Sequence, residues 1–96
     1  MYINRRTFNT KQGKQKEAVA LLIEAQALVP EQPMRISTPV FGPFDTLAVE
    51  FDFSTLADYE RFWAELWERP DFVEPLSRWG KLIDTGGNNE LWQLAE

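Results

Sequence analysis

Residues 46–68 change their apolar period once, and that change constrains the fold more than any other feature of the chain. Thr46 to Phe53 (TLAVEFDF) alternates: Leu47, Val49, Phe51 and Phe53 fall on one side, Thr46, Ala48, Glu50 and Asp52 on the other. Such a pattern is a strand with one buried face. Ser54 or Thr55 then caps a helix, and Thr55 with Asp58 three residues on resembles a capping box with Asp in place of Glu. Leu56, Tyr59, Phe62, Trp63, Leu66 and Trp67 cover roughly 140° of a helical wheel. Asp58, Arg61, Glu65, Glu68 and Arg69 take the opposite side. A helix of this kind lies on a sheet, and the Leu47-Val49-Phe51-Phe53 face is its partner.

The remaining elements follow by the same argument. Residues 2–9 (YINRRTFN) predict a strand, and Lys11-Gln12-Gly13-Lys14 a turn. From Lys14 to Val29 the apolar spacing is helical, with Ala18, Leu21, Leu22, Ala25, Leu28 and Val29 on one face. Val19 and Ile23 widen that face. Pro30 and Pro33 end the helix. Met34 to Val40 alternates as a second strand, and Phe41-Gly42-Pro43-Phe44-Asp45 reads as a hairpin turn. Pro70 breaks the second main helix. Asp71-Phe72-Val73-Glu74 is a second capping pattern, Asp to Glu, that starts a short extra helix to about Trp79, with Gly80 as its stop. Thr85 to Asn89 is a turn, and Glu90 to Ala95 a final short strand.

The order βαββαβ, with right-handed crossovers, gives an α+β ferredoxin-like fold. Its four-stranded antiparallel sheet carries two main helices and the short extra one on a single face. Ninety-six residues make a single domain, 1–96, with a modest core. The second sheet face has no helix to cover it, so a second copy of the chain is the expected cover and a homodimer the expected state. By parity the open side carries Thr46, Ala48, Glu50 and Asp52 of the third strand and Arg35 and Ser37 of the second. In the first strand Ile3 and Thr7 are assigned to the helices, which leaves Tyr2, Asn4, Arg6 and Phe8 open. Arg5 fits the helix side badly under that assignment. The last strand offers either Trp92-Leu94 or Leu91-Gln93.

Composition removes several chemistries. The chain has no cysteine and no histidine, which excludes disulfides, thiolate catalysis, imidazole bases and histidine-ligated haem. Net charge is −5, with lysines clustered only at 11, 14 and 16, so nucleic acid is not an expected partner. The longest apolar run, Ala18 to Ile23, is too short for a membrane span, and MYINRR lacks a signal-peptide core. The expectation is a cytoplasmic protein without a membrane partner, a metal or a cofactor.

Several side chains carry possible chemistry. Glu50 and Asp52 point the same way and form either a proton-handling pair or a charged ladder with Arg6 and Arg35. Arg6 suits an anionic substrate. Asn4 and Ser37 either bind a substrate oxygen or satisfy each other or water. Trp63 and Trp67 serve as core or as a ligand box. Trp79 and Trp92 are surplus to a small core, and one of them is expected at a pocket mouth or a subunit contact.

The stretch RRTFNTKQGK, residues 5–14, resembles the first strand and turn of NIPSNAP-like proteins. GPFDTLAVEFDFSTLADYERFWAEL, residues 42–66, is similar to their third strand and second helix, and Trp67 to Phe72 to the segment that follows. The wider set is the dimeric α/β-barrel superfamily, which includes antibiotic-biosynthesis monooxygenases and stress-responsive barrel proteins. The resemblance implies two sheets packed face to face, with a pocket in each subunit at the sheet–helix or sheet–sheet junction. Small haem-degrading members use an Asn, a Trp and a ligating His. Asn4 and Trp63 or Trp67 correspond in place, but this chain has no His.

Two functional readings result. One is a homodimeric barrel binding a small, partly aromatic or polar molecule in a cavity lined by Asn4, Arg6, Phe8, Arg35, Ser37, Trp63 and Trp67. The other is a cofactor-independent monooxygenase or isomerase. It would use Glu50 or Asp52 as base and Asn4 and Arg6 as oxyanion holders.

Overall fold

A computed structural model describes residues 1–95. It contains β1 (Tyr2–Asn9), α1 (Gln15–Gln26), β2 (Met34–Ser37), β3 (Thr46–Phe53), α2 (Leu56–Glu68), a single 3₁₀ turn (Pro70–Phe72), α3 (Val73–Leu82) and β4 (Asn88–Gln93). The strands form one antiparallel sheet in the order β2-β3-β1-β4. This is the ferredoxin-like arrangement expected from the order of elements.

The helix side of β3 builds the core. Leu47, Val49, Phe51 and Phe53 are buried with Ala18 of α1. The aromatics of α2 answer to that face. Phe51 meets Trp63 edge-on, with ring centroids 5.3 Å apart, and Phe53 meets Tyr59 at 5.6 Å. Edge-to-face pairs of this kind add to the burial itself. Thr55 caps α2, its hydroxyl accepting from the Asp58 N–H at 3.0 Å. Asp58 does not complete the reciprocal half of a capping box; its carboxylate pairs with Arg61 at 3.1 Å.

Several boundaries differ from expectation. α1 ends at Gln26, three residues early, and the Gln26 side chain organises the exit. Its amide donates to the carbonyls of Val29 and Gln32 and its oxygen accepts from the Met34 N–H at 2.6 Å. β2 stops at Ser37 rather than Val40, because Pro39 has no N–H to offer a ladder. Asp71 does not cap α3; it is drawn back to Arg69 at 2.7 Å. Gly80 does not stop α3, which runs on to Leu82. β4 begins two residues early, at Asn88, and ends at Gln93. The glycines before it allow this: Gly87 has φ +104°, and a Cβ there would come 2.3 Å from the Thr7 carbonyl oxygen.

The main correction concerns β1. Its register sets Tyr2 opposite Phe53, Asn4 opposite Phe51, Arg6 opposite Val49 and Phe8 opposite Leu47. Opposed residues share a face. Tyr2, Asn4, Arg6 and Phe8 therefore lie under the helices, and Ile3, Arg5 and Thr7 lie on the open side, the reverse of the sequence-based assignment. The choice left open in β4 is settled by the same register. Leu91 opposes Asn4 and Gln93 opposes Tyr2 on the helix side, while Trp92 opposes Ile3 on the open side.

Candidate functional site

The residues expected to line one cavity fall into two groups with the sheet between them. On the helix side are Asn4, Arg6, Phe8, Trp63 and Trp67. On the open side are Arg35, Ser37, Glu50 and Asp52.

The helix-side group is organised by Asn4, which is fully buried although polar. Its Nδ2 donates to Asn89 Oδ1 at 2.9 Å and to the Glu90 carbonyl at 2.8 Å. Its Oδ1 accepts from Trp63 Nε1 at 3.1 Å and from Arg6 Nε at 3.2 Å. All four hydrogen-bonding positions of the amide are thereby used. Asn4 fastens β1 to β4 and to α2, and it fixes the orientation of two cavity-lining side chains.

Arg6 lies with its guanidinium carbon 3.6 Å from the Trp63 ring centroid, a close cation–π contact. Burial pushes its pKa below the ordinary arginine value, and the neighbouring Tyr59 hydroxyl offsets part of that effect. Trp63 in turn stacks on Trp67, centroids 6.0 Å apart. Phe8 meets Trp79 of α3 edge-on at 5.1 Å. Among these groups, between the sheet and the three helices, is a cavity of about 170 Å³. Its walls are apolar or aromatic except for Arg6, and it reaches the surface beside Trp67 and Leu76, which are 56% and 45% exposed. A cavity close to this volume, lined by apolar side chains, accepts one benzene-sized molecule. Of the two tryptophans surplus to the core, Trp79 lines this cavity, as one of the pair was expected to, whereas Leu76 carried no signal in the sequence.

The open side is a different surface. Register sets Arg35 beside Glu50, Glu50 beside Arg5 and Arg5 beside Glu90, one row of alternating charge across all four strands. Arg35 grips Asp52 with two nitrogens, at 2.6 and 2.9 Å, and reaches Glu50 at 3.6 Å. The hydrogen bond from Arg35, and then its charge, hold the Asp52 carboxyl below its ordinary pKa. The ladder foreseen around Glu50 and Asp52 thus exists with Arg35 but not with Arg6, which is on the other face. For the same reason Glu50 or Asp52 cannot act within one chain on a molecule held by Asn4 and Arg6. A larger groove, about 480 Å³, runs along α1 and α3, but Arg78 is paired there with Glu24 at 2.7 Å and Lys14 with Glu17 at 3.3 Å. Among the described residues no group of acidic side chains could hold a metal ion, and no helix is long and apolar enough to cross a membrane.

A ferredoxin-like α+β sheet with an aromatic cavity on its helix side is the class that these features define. Within that class, solved structures resemble the chain over nearly its whole length. An uncharacterised NIPSNAP domain protein from Burkholderia xenovorans superposes with a TM-score of 0.87 at 14% identity, covering 99% of this chain and 95% of that one. A NIPSNAP family protein from Agrobacterium tumefaciens gives 0.85 at 18% identity, covering 99% and 86%. A protein from Deinococcus radiodurans, provisionally named an antibiotic biosynthesis monooxygenase, gives 0.74 at 13% identity, covering 100% and 94%. At these identities the likeness establishes the fold. No protein-family model and no curated protein matches the chain.

Proposed function

We propose that this is a NIPSNAP-like protein of the dimeric α/β-barrel type that binds a small organic molecule between its sheet and its helices. The observation that carries the reading is the cavity of about 170 Å³ walled by Trp63, Trp67, Phe51 and Trp79 and open beside Leu76. A well-formed apolar cavity with one convergent polar group is the usual form of a small-molecule site. Titration of the purified protein with single-ring aromatic compounds, followed by tryptophan fluorescence and calorimetry, tests it. Saturable binding that Leu66→Trp abolishes by filling the space is the expected result, and no binding by any ring compound at millimolar concentration overturns it.

The homodimer is the second part of the proposal. Its support is the open sheet face, where Ile3 and Trp92 flank the charged row and Trp92 is 58% exposed. The β2–β3 connection adds Val40, Phe41 and Phe44, each at least 90% exposed. Apolar side chains so exposed beside an uncovered sheet suit a second subunit. Sedimentation at micromolar concentration is expected to give twice the chain mass. A monomer there refutes this part and leaves the cavity reading standing.

The enzymatic alternative, a cofactor-independent monooxygenase or isomerase, is favoured by the fold likeness to proteins provisionally named antibiotic biosynthesis monooxygenases. In that case Glu50 and Asp52 would act in the interior between two sheets, apart from Arg6. Oxygen consumption with phenolic substrates, lost in Glu50→Gln, is the measurement that would favour it.

A further inference from the structure

The arginines of this chain are treated unequally. Arg35 takes the two oxygens of Asp52 with Nη1 and Nη2, and Arg78 takes those of Glu24 in the same end-on way. Arg69 takes Asp71 through Nε and Nη2. Arg61 pairs with Asp58. Arg5, without such a partner among the described residues, is in solvent. Arg6 is the exception. It is shielded between β1 and α2, it lines the cavity, and no carboxylate among the described residues pairs with it. Its Nε is spent on Asn4 and the Tyr59 hydroxyl hydrogen-bonds the guanidinium, but no acid among the described residues takes Nη1 and Nη2, the fork that Arg35 and Arg78 use.

A shortage of acids does not explain this, since the chain has 15 acidic residues against 10 basic ones. A partly buried cation without a counter-ion is costly, and a carboxylate in bidentate contact is what offsets that cost best. We infer that the cavity takes a small organic monocarboxylate, its acid group on the Arg6 fork and its body among Trp63, Trp67 and Trp79. This rests on the ligand-binding role proposed above for the cavity. The volume limits the body to one six-membered ring or a short branched chain. The charge limits the head. One guanidinium neutralises one negative charge, no second cation among the described residues lines the cavity, and a net charge of −5 repels a polyanion such as a phosphate ester.

The test uses the full chain and a matched pair of probes, benzoate and benzyl alcohol, titrated by calorimetry and tryptophan fluorescence. Arg6→Gln and Arg6→Lys are titrated beside the unaltered protein. Benzoate is expected to bind about tenfold more tightly than benzyl alcohol or better, the range of a charge-assisted hydrogen bond. Arg6→Gln should erase that preference while retaining benzyl alcohol, and Arg6→Lys should restore part of it. Equal binding of both probes, unchanged by Arg6→Gln, overturns the acid assignment and leaves the cavity reading intact. Failure of both probes overturns the two together. Should Arg6→Gln not fold, the preference measured on the unaltered protein decides alone: a clear preference for benzoate supports the inference, and its absence overturns it.

Discussion

The two faces of this sheet are made from alternate residues of the same four strands, yet they solve different problems. The helix face is mainly apolar, and the polar side chains at its centre, Asn4 and Arg6, are held by specific contacts. The open face is a charged lattice of Arg35, Glu50, Arg5 and Glu90 with Ile3 and Trp92 beside it. The difference shows where the stability of a single chain resides and where its assembly would be written. Buried packing and one saturated amide hold the fold, while exposed ion pairs contribute little to it.

Substitutions can break that contrast. The largest effect is expected from Leu47→Ala on the helix face, where the side chain is fully buried; a loss of about 3 kcal/mol in chemical denaturation is the outcome. The same truncation at Arg5 should cost about 0.5 kcal/mol or less. A loss at Arg5 as large as that at Leu47 would erase the distinction, unless it grows as protein is diluted, the mark of a lost subunit contact. Asn4→Ala should follow closely, at about 2–3 kcal/mol, because it strands the Trp63 and Arg6 donors and the acceptors on β4. Should Asn4→Ala prove neutral, the amide is not the fastening described.

Smaller effects sharpen the picture. Gly80→Ala lies within α3 where an added Cβ meets nothing within 4 Å, so it should stabilise by about 0.5–1 kcal/mol and raise the melting temperature. On the open face, Asp52 has a folded pKa below its ordinary 3.8. Its contribution is therefore present above about pH 4 and is lost as pH falls through the depressed value. Both partners are more than a third exposed, so solvent screening keeps the contribution under about 1 kcal/mol. Arg35→Ala should lower stability at neutral pH by up to that amount, change nothing at pH values below the depressed one, and so flatten the acid side of the stability profile.

The bounds of β1 and β3 were legible to the residue, and the start of α2 to within its cap, which lay between Ser54 and Thr55. The sequence did not reveal the face of β1, and the reason is physical. Tyr2, Asn4, Arg6, Phe8 and the intervening Ile3, Arg5, Thr7 are equally mixed in polarity, so alternation alone cannot orient the strand. The available clue was Arg5, whose charge is hard to accommodate under helices. Reversing the strand divides the expected site. Asn4, Arg6, Phe8, Trp63 and Trp67 converge as one group, whereas Arg35, Ser37, Glu50 and Asp52 belong to another surface. No local pattern could have shown Leu76 entering the cavity wall, because α3 follows the 3₁₀ turn Pro70–Phe72 and its direction is a matter of tertiary packing.

The saturated amide of Asn4 has an optical corollary. It connects the terminal β-strand directly to an indole N–H, so any fraying near Asn89 or Glu90 changes the dielectric surroundings of a chromophore on the far side of β1. Emission from Trp63 would then serve as an intrinsic gauge of whether the tail of the sheet is zipped, without an attached label.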